Sequence, residues 1–278
     1  MEIKLLTDAS AELDAAYVEE NDVTVLKMPV SYDNIEVEDI EISKFWNLLK
    51  EGKKVKTSQP NREDIKEEFL KAKNGGYALI CVFISAALSG TIATAESVKA
   101  EIGYDKIYIV DSLKATLGEN IVAKKAVTLI KEGLAAEEIY EKLKNFASRV
   151  RLMSSVDSLK YLALGGRLSA IAAAIGNLIG IKPVVTIDVD GKVKVLSKKI
   201  GLRLTMKEIL NIIGREKIDE SEPVIPIYAC DDENVLAFVE KFKEVYKTAT
   251  LTAPAEIGYV VGTHIGPGGF GAVYVVKE

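Results

Sequence analysis

Three short segments of this chain combine hydroxyls, amides and glycines in an order suited to holding an anion. The first is Ser85-Ala86-Ala87-Leu88-Ser89-Gly90-Thr91, between a continuous apolar run and a helical pattern. Ser89 and the amides of Gly90 and Thr91 sit where a helix begins, and the free N–H groups of a helix start favour negative charge. A plain N-cap by Ser89 explains the same residues without a ligand. The second segment, Thr57-Ser58-Gln59-Pro60, also precedes a helical pattern and offers two hydroxyls and an amide in a row. A turn with a cap is its simpler reading. The third surrounds His264, the only histidine, in Gly262-Thr263-His264-Ile265-Gly266-Pro267-Gly268-Gly269-Phe270-Gly271. A lone histidine is usually structural, but glycines on both sides let backbone approach closely, and an imidazole there suits orienting or polarising an acidic group.

Two further features carry less chemistry. Gly165-Gly166-Arg167 sets a cation between two predicted helices. Leu168, Ile171, Ile175 and Leu178 follow at helical spacing among Ala172, Ala173, Ala174 and Gly176. Such a stripe fits a core helix and fits the lining of an apolar tunnel equally well. Gly266, Gly268 and Gly271 spell G-x-G-x-x-G, yet that fingerprint must open a helix and be followed by an acid about twenty residues on. Only seven residues follow Gly271, and they read as a strand. A dinucleotide site is excluded.

The elements that must position these groups fall into two halves. Ile3 to Leu6, Val23 to Val30, Tyr77 to Ile84 and Ile107 to Val110 read as strands. Between and after them, Ile42 to Leu49, Asn61 to Phe69, Thr91 to Ile102, Asn120 to Glu132 and Ala135 to Arg149 read as helices, with Trp46 a packing residue. This βαβ series predicts a mostly parallel, Rossmann-like sheet with flanking helices over residues 1–150. Ligands of open parallel sheets collect at the carboxyl ends of strands. Here those ends are Thr7-Asp8, Ser85 to Thr91, and Asp111-Ser112. Past Arg151 the texture changes. Ser154 to Ala163 and Leu168 to Leu178 read as helices, and Val184 to Val189 with Lys192 to Leu196 read as a hairpin around Asp190-Gly191. A strand from Val224 to Ala229, a helix from Asp232 to Val245 and a last strand from Ala272 to Val276 complete a second α/β domain with antiparallel pairing over 151–278.

Bulk properties narrow the function classes. The chain has 278 residues, 48% hydrophobic and 28% charged, with a formal net charge of -5. That is globular composition without the basic runs of a nucleic-acid partner. The longest apolar run, near Ala170 to Ile181, is interrupted by Asn177 and falls short of the roughly 20 residues of a membrane span, so no stable membrane insertion is expected. Acids at Glu2 and Asp8 do not suit a secretory leader, and a cytoplasmic protein is expected. Cys81 and Cys230 lie far apart and predict buried reduced thiols. No Cys or His pair has metal-ligand spacing. The basic stretch Lys192, Lys194, Lys198, Lys199 and Arg203 reads as a solvated face.

Taken in order along the chain, the motifs resemble those of the DegV family, whose members include the acyl-binding subunit of bacterial fatty acid kinase. The resemblance rests on Thr7-Asp8, Thr57-Ser58-Gln59-Pro60, Ile84-Ser85 with Leu88-Ser89-Gly90-Thr91, and Val110-Asp111-Ser112. It continues through Leu164-Gly165-Gly166-Arg167-Leu168, Ile181-Lys182-Pro183 and Gly262 to Gly268. It runs nearly end to end. Departures occur at Ala9, Ala86, Thr116 and Asn120, where the family often has Ser, Ser, Ser and Gly, and at Lys199 to Arg203, which lacks the usual Lys-x-Arg form. They leave the three anion-holding segments in place and bear on acyl preference and the partner surface.

The resemblance implies a two-domain α/β fold with one long-chain fatty acid held between the domains. It implies that Thr57 or Ser58, Ser89 with Gly90, and His264 hold the carboxylate, and that Arg167 engages a partner kinase. Leu168, Ile171 and Ile175 become candidates for the acyl tunnel. It further implies a carrier with no catalytic residue, no metal and no cofactor beyond the fatty acid. A separate fatty acid kinase subunit phosphorylates the bound carboxylate, and the acyl-phosphate feeds phospholipid synthesis. Two other readings stand beside this one. A serine hydrolase would use Ser89 as nucleophile, His264 as base and Asp8 or Asp111 as orienter, although no G-x-S-x-G elbow is present. A non-catalytic interaction module would have a filled core in place of a tunnel.

Overall fold

The computed structural model describes residues 1–33, 35–37, 40–168 and 180–278. In chain order its elements begin with β1 (Ile3–Asp8), a 3-10 turn (Ala9–Ala11), α1 (Ala15–Glu20), β2 (Thr24–Leu26), β3 (Val30–Tyr32) and β4 (Ile35–Glu36). Next come α2 (Ile42–Lys50), β5 (Lys56–Thr57), α3 (Arg62–Gly75), β6 (Ala78–Phe83), α4 (Thr91–Ile102), β7 (Ile107–Asp111), α5 (Leu117–Lys131) and α6 (Ala136–Arg149). The remainder holds β8 (Val150–Ser155), α7 (Lys160–Leu164), β9 (Ile181–Ile187), β10 (Val193–Ile200), α8 (Leu202–Ile213), β11 (Ile225–Tyr228), α9 (Glu233–Val245), β12 (Ala255–Glu256), α10 (Tyr259–Ile265) and β13 (Phe270–Val275).

These elements form two compact units. The first comprises Met1–Pro29, Ser58–Ser148 and Val189–Gly191; the second comprises Val30–Thr57, Arg149–Asp188 and Lys192–Glu278. The change near residue 149 falls where the sequence texture shifts. Val30–Thr57 belongs to the second unit although it precedes that point, because its α2 and β5 pack against α10; within the segment β3 pairs with β4 and β5 in a small sheet of its own.

The first unit is built on a parallel sheet of order β2-β1-β6-β7. All six residues of β6 are buried, as expected of a strand covered on both faces. Leu79, Cys81 and Phe83 face one way and pack with Ile65, Phe69 and Ala72 of α3 and with Ala95, Val98 and Ile102 of α4. The alternate side chains of a strand face the opposite way, and α5 lies against β1 and β6. The strand order reverses at β1 and β6, so this unit's topological switch point lies at Asp8 and Ile84.

The second unit carries a six-stranded sheet of order β10-β9-β8-β13-β11-β12, antiparallel except for the β11–β12 pair. On one face, Met206, Ile209, Leu210 and Ile213 of α8 and Val235, Phe238, Val239 and Phe242 of α9 pack onto Val184, Phe270, Ala272 and Tyr274. Those spacings are the apolar stripes of amphipathic helices.

Two expectations need correction or limitation. Ser154 to Ala163 is not one helix. Residues 150–155 form β8, hydrogen-bonded between β9 and β13, and a helix resumes only at Lys160. Pairing on both sides outweighs the local pattern there. A short helix, α10, carries His264, in a stretch whose sequence predicted no element. The helix expected over Leu168 to Leu178 lies outside the described residues beyond Leu168. The hairpin holds, with β9 and β10 antiparallel and an irregularity between Val195 and Ser197. Both cysteines are free thiols; Cys81 is buried and Cys230 half-buried. Among the described residues no helix is long and apolar enough to cross a membrane.

Candidate functional site

In the second unit, two of the assigned residues meet although 207 positions separate them. Thr57 ends β5, whose backbone is fixed by pairing with β3, and its Oγ1 lies 2.8 Å from Nε2 of His264. The α10 helix that carries His264 is braced from α2. Phe45 stacks edge-on against Tyr259 with ring centroids 5.2 Å apart, and Tyr259 donates its hydroxyl to the carbonyl of Ile40 at 2.7 Å. Trp46 is buried as expected, and its indole N–H also donates to Glu256 at 2.7 Å.

The other face of the imidazole rests on Gly165. A Cβ at that position would stand 2.2 Å from His264 Nδ1, so only glycine lets the end of α7 approach the ring. Nδ1 is buried without a hydrogen-bond partner among the described residues. Arg167 is half-buried beside it and donates to the carbonyl of Gly165. Burial pulls the His264 pKa down, and the Arg167 charge adds to the effect, bringing it to about 4. The ring is therefore neutral near pH 7. Thr57 offers a rotatable hydroxyl hydrogen, a neutral His264 offers one ring N–H, and Arg167 supplies the positive field. This set can receive a carboxylate without burying an ammonium ion.

That shift makes a measurable prediction. A histidine whose native pKa is depressed stays neutral while the unfolded chain, with a value near 6.5, takes up its proton. Native stability is therefore complete above about pH 6.5 and is lost as pH falls toward about 4. The loss is on the order of 3 kcal/mol, and denaturant titrations at several pH values should show it as a change of that size, between about pH 6.5 and 4, in the stability difference between wild type and His264→Gln.

In the first unit the remaining residues sit near the ends of β6 and α3. The loop after β6 is tightly wound. Leu88 and Ser89 both donate N–H to the carbonyl of Ser85, at 2.9 and 3.1 Å. The Ser89 hydroxyl lies 2.8 Å from that of Thr91 and accepts the Thr91 N–H at 3.3 Å. Gly90 occupies the N-cap position of α4, with no side-chain cap. Ser89 is half-buried, while Ser58 and Gly90 are exposed. Gln59 Oε1 fills the space a side chain on Gly90 would need, and its amide nitrogen donates to Thr94 at 2.7 Å. Asp111 accepts the N–H groups of Ala86 and Leu113, at 3.3 and 2.7 Å, and so ties the end of β7 to this loop.

Leu168 is buried in a cluster with Val156, Leu159, Leu162 and Val185. Ile171 and Ile175 lie outside the described residues. The hydrolase arrangement gains nothing here. A triad base needs its second ring nitrogen held by a carboxylate, and His264 Nδ1 has no such partner among the described residues. Asp8 and Asp111 spend their oxygens on backbone N–H groups and, for Asp8, on Ser10.

Sequence reasoning missed one group. Glu119, in the first turn of α5, is completely buried together with Asp8 and Ser10. An acid in a first helical turn ordinarily reads as a surface complement to the helix dipole. The apolar residues that flank it, Leu117, Ile121 and Val122, are the only local sign of its burial.

Fold and site together describe an α/β protein of two units whose polar side chains suit an acidic head group. Comparison with known proteins makes the assignment specific. The profile of the DegV family, described as an uncharacterised protein family, matches residues 2–277, and the chain belongs to that family. A DegV domain-containing protein of Clostridium perfringens is 30% identical over 275 residues, covering 95% of this chain and 94% of its own length. The crystal structure of a DegV lipid binding protein from Thermotoga maritima superposes with a TM-score of 0.85 at 26% identity, over 100% of this chain and 99% of that one. A DegV family protein from Thermus thermophilus, described for its fatty acid binding, gives a TM-score of 0.87 at 25% identity over the whole of both chains.

Proposed function

We propose that this chain binds one long-chain fatty acid and acts as a carrier, without chemistry of its own. The observation that carries the reading is the Thr57–His264 pair beside Arg167, in a chain whose relatives include the fatty-acid-binding Thermus thermophilus protein. The carboxylate is received by Thr57 and His264, with Ser58, Ser89 and Gly90 as the further head-group residues the motifs assign. Leu168, Ile171 and Ile175 remain the proposed contacts of the acyl chain. A tail of about 16 carbons gains about 0.8 kcal/mol per buried methylene, roughly 10 kcal/mol before the costs of association. The tail can thus supply the affinity, and the head group needs only orientation.

Mass spectrometry of an organic extract of the purified protein tests this. One fatty acid per chain is expected, and a delipidated sample should take up labelled palmitate in the same ratio. An empty extract together with no uptake of palmitate contradicts the proposal.

The likeness of Gly165-Gly166-Arg167 to the acyl-binding subunit of fatty acid kinase extends the reading. A cytoplasmic partner kinase phosphorylates the presented carboxylate, and the product serves phospholipid synthesis. Arg167→Ala separates two roles for that cation. If Arg167 docks the kinase, the variant keeps palmitate affinity and loses acyl-phosphate formation. Normal phosphorylation by the variant excludes docking, and a loss of affinity assigns Arg167 to the head group.

A further inference from the structure

Asp8, Ser10 and Glu119 are each completely buried in the first unit, and none of them belongs to the proposed head-group set. Ser10 Oγ lies 2.6 Å from Asp8 Oδ1 and 2.5 Å from Glu119 Oε2. A hydroxyl carries one hydrogen. It can donate to one of these oxygens, and the other contact is a hydrogen bond only if that carboxyl brings its own proton. Two bare carboxylates would press lone pair against lone pair in the core.

The count of donors decides which acid is charged. Asp8 receives the Ser10 N–H at 3.0 Å and the Ile84 N–H at 3.1 Å in addition to the Ser10 hydroxyl. For Glu119 the one further donor among the described residues is the hydroxyl of Thr7, at 3.4 Å. Hydrogen bonds from N–H groups favour the ionised form of the acid that accepts them. We propose that Glu119 is held as a neutral carboxylic acid that donates to Ser10 Oγ, which donates in turn to the Asp8 carboxylate. This proton-bearing link fastens the start of α5 to the ends of β1 and β6.

The surroundings agree with the geometry. Burial raises the Glu119 pKa well above the ordinary carboxyl range, and the negative charge of Asp8 raises it further. Burial also raises that of Asp8, but its hydrogen bonds from Ser10 and Ile84 oppose the rise. The charged groups that face Glu119 are Asp8 from β1 and Glu12 from the segment after the 3-10 turn, both acids. Glu12 accepts the Thr116 hydroxyl at 2.6 Å. From the residue after β6 comes the Ile84 N–H, and from α5 comes Asn120, whose amide donates to the carbonyl of Ala11 at 2.8 Å.

Position gives the link its consequence. The carboxyl ends of β1 and β6 are the switch point of this sheet, where a doubly wound unit ordinarily opens a crevice. Here the hydrogen-bonded acids occupy that point. Ile84 immediately precedes the loop that carries Ser89, so Asp8 sets where the loop begins. Glu119 is thus a positioning residue. The link stands on the first unit alone and does not rest on the fatty-acid reading.

Thermal unfolding of Glu119→Gln and Asp8→Asn against pH tests it, with infrared spectra of chain labelled with carbon-13 at its glutamate carboxyls. A glutamate with a raised native pKa keeps its proton where the unfolded chain, at about 4.3, has released it. The contribution of Glu119 to stability therefore falls as pH climbs from about 4 until it ionises, and is level above that; His264 acts in the opposite sense over part of this range but does so equally in wild type and Glu119→Gln, so the difference between the two proteins is what is read. In Glu119→Gln the amide still donates to Ser10, so its melting temperature should match wild type near pH 4 and exceed it increasingly as pH rises. Asp8→Asn should melt lower at every pH. The labelled wild type should show a protonated-carboxyl band near pH 7 that Glu119→Gln lacks. Absence of that band, or a melting difference independent of pH, overturns the proposal. Should neither variant fold, the wild-type band decides alone.

Discussion

Gly271→Ala should lower the melting temperature of this protein by about 10 °C. Gly271 lies in β13, paired with Ser154 of β8 on one side and Ile227 of β11 on the other. An added Cβ would stand 2.1 Å from the carbonyl oxygen of Met153 and 2.6 Å from the Cα of Ser154. Both are backbone atoms of a hydrogen-bonded neighbour, so no rotamer change relieves the overlap. Relief requires β8 and β13 to separate in the middle of the six-stranded sheet. Overpacking of a core ordinarily costs about 1–3 kcal/mol, and contact with fixed backbone puts this case at about 3 or more. For a protein of this size each kcal/mol moves the transition by about 2–4 °C. Calorimetry checks the value, and a variant that melts within a degree of wild type would show that β8 and β13 are not paired as described.

The second large effect is expected at Gly165, with a different signature. Its backbone is helical, at φ -75° and ψ -9°, so alanine suits the main chain and favours the helix. The cost falls on the neighbour. The new Cβ would lie 2.2 Å from Nδ1 and 2.9 Å from Cε1 of His264, and the ring must leave Thr57 to make room. Overall stability should change little, because a side chain can swing where a strand cannot. Fatty-acid affinity should fall about 10- to 100-fold, the range for losing one or two hydrogen bonds to a charged group. His264 is the sole histidine, so a single imidazole signal reports the site by nuclear magnetic resonance. In wild type it should titrate at about 4; in Gly165→Ala, with the ring released toward water, near the ordinary value of about 6.5. An unchanged titration would mean that Gly165 does not seat the ring.

The two units differ in how far their architecture can be read from residue order. In the first unit, local signals and tertiary structure agree. The run from Tyr77 to Ile84 is apolar without interruption and becomes a strand buried on both faces. Asn61 caps α3 by accepting the N–H of Glu63, and α4 spans Thr91–Ile102 as its pattern predicts. In the second unit, long-range pairing decides. Val150 to Ser155 follows α6 with no glycine, proline or asparagine between, and its pattern serves a helix as well as a strand until β9 and β13 flank it. Around His264, the glycines predicted close backbone approach but not the helix that uses it; a Cβ on Gly262 would stand 2.7 Å from the Trp46 ring.

The candidate site shows the same division. Each of its segments was visible as a hydroxyl-rich or glycine-rich motif, but no spacing rule brings Thr57 to His264 across 207 residues. Only the likeness to a family joined them beforehand. Of the buried link, only Asp8 stood in a motif; Ser10 and Glu119 did not. A carboxylic acid in an interior is betrayed by its partners, and two of these are 109 positions apart.

The central claim is that a fatty acid places its carboxylate against Thr57 and His264. Nuclear magnetic resonance of palmitate labelled with carbon-13 at the carboxyl, bound to wild type, Thr57→Ala and His264→Gln, tests it most directly. A bound signal displaced from that of free palmitate in wild type, and moved by each substitution, is the result this account predicts. A bound carboxyl signal identical in all three proteins would place the head group elsewhere and contradict it.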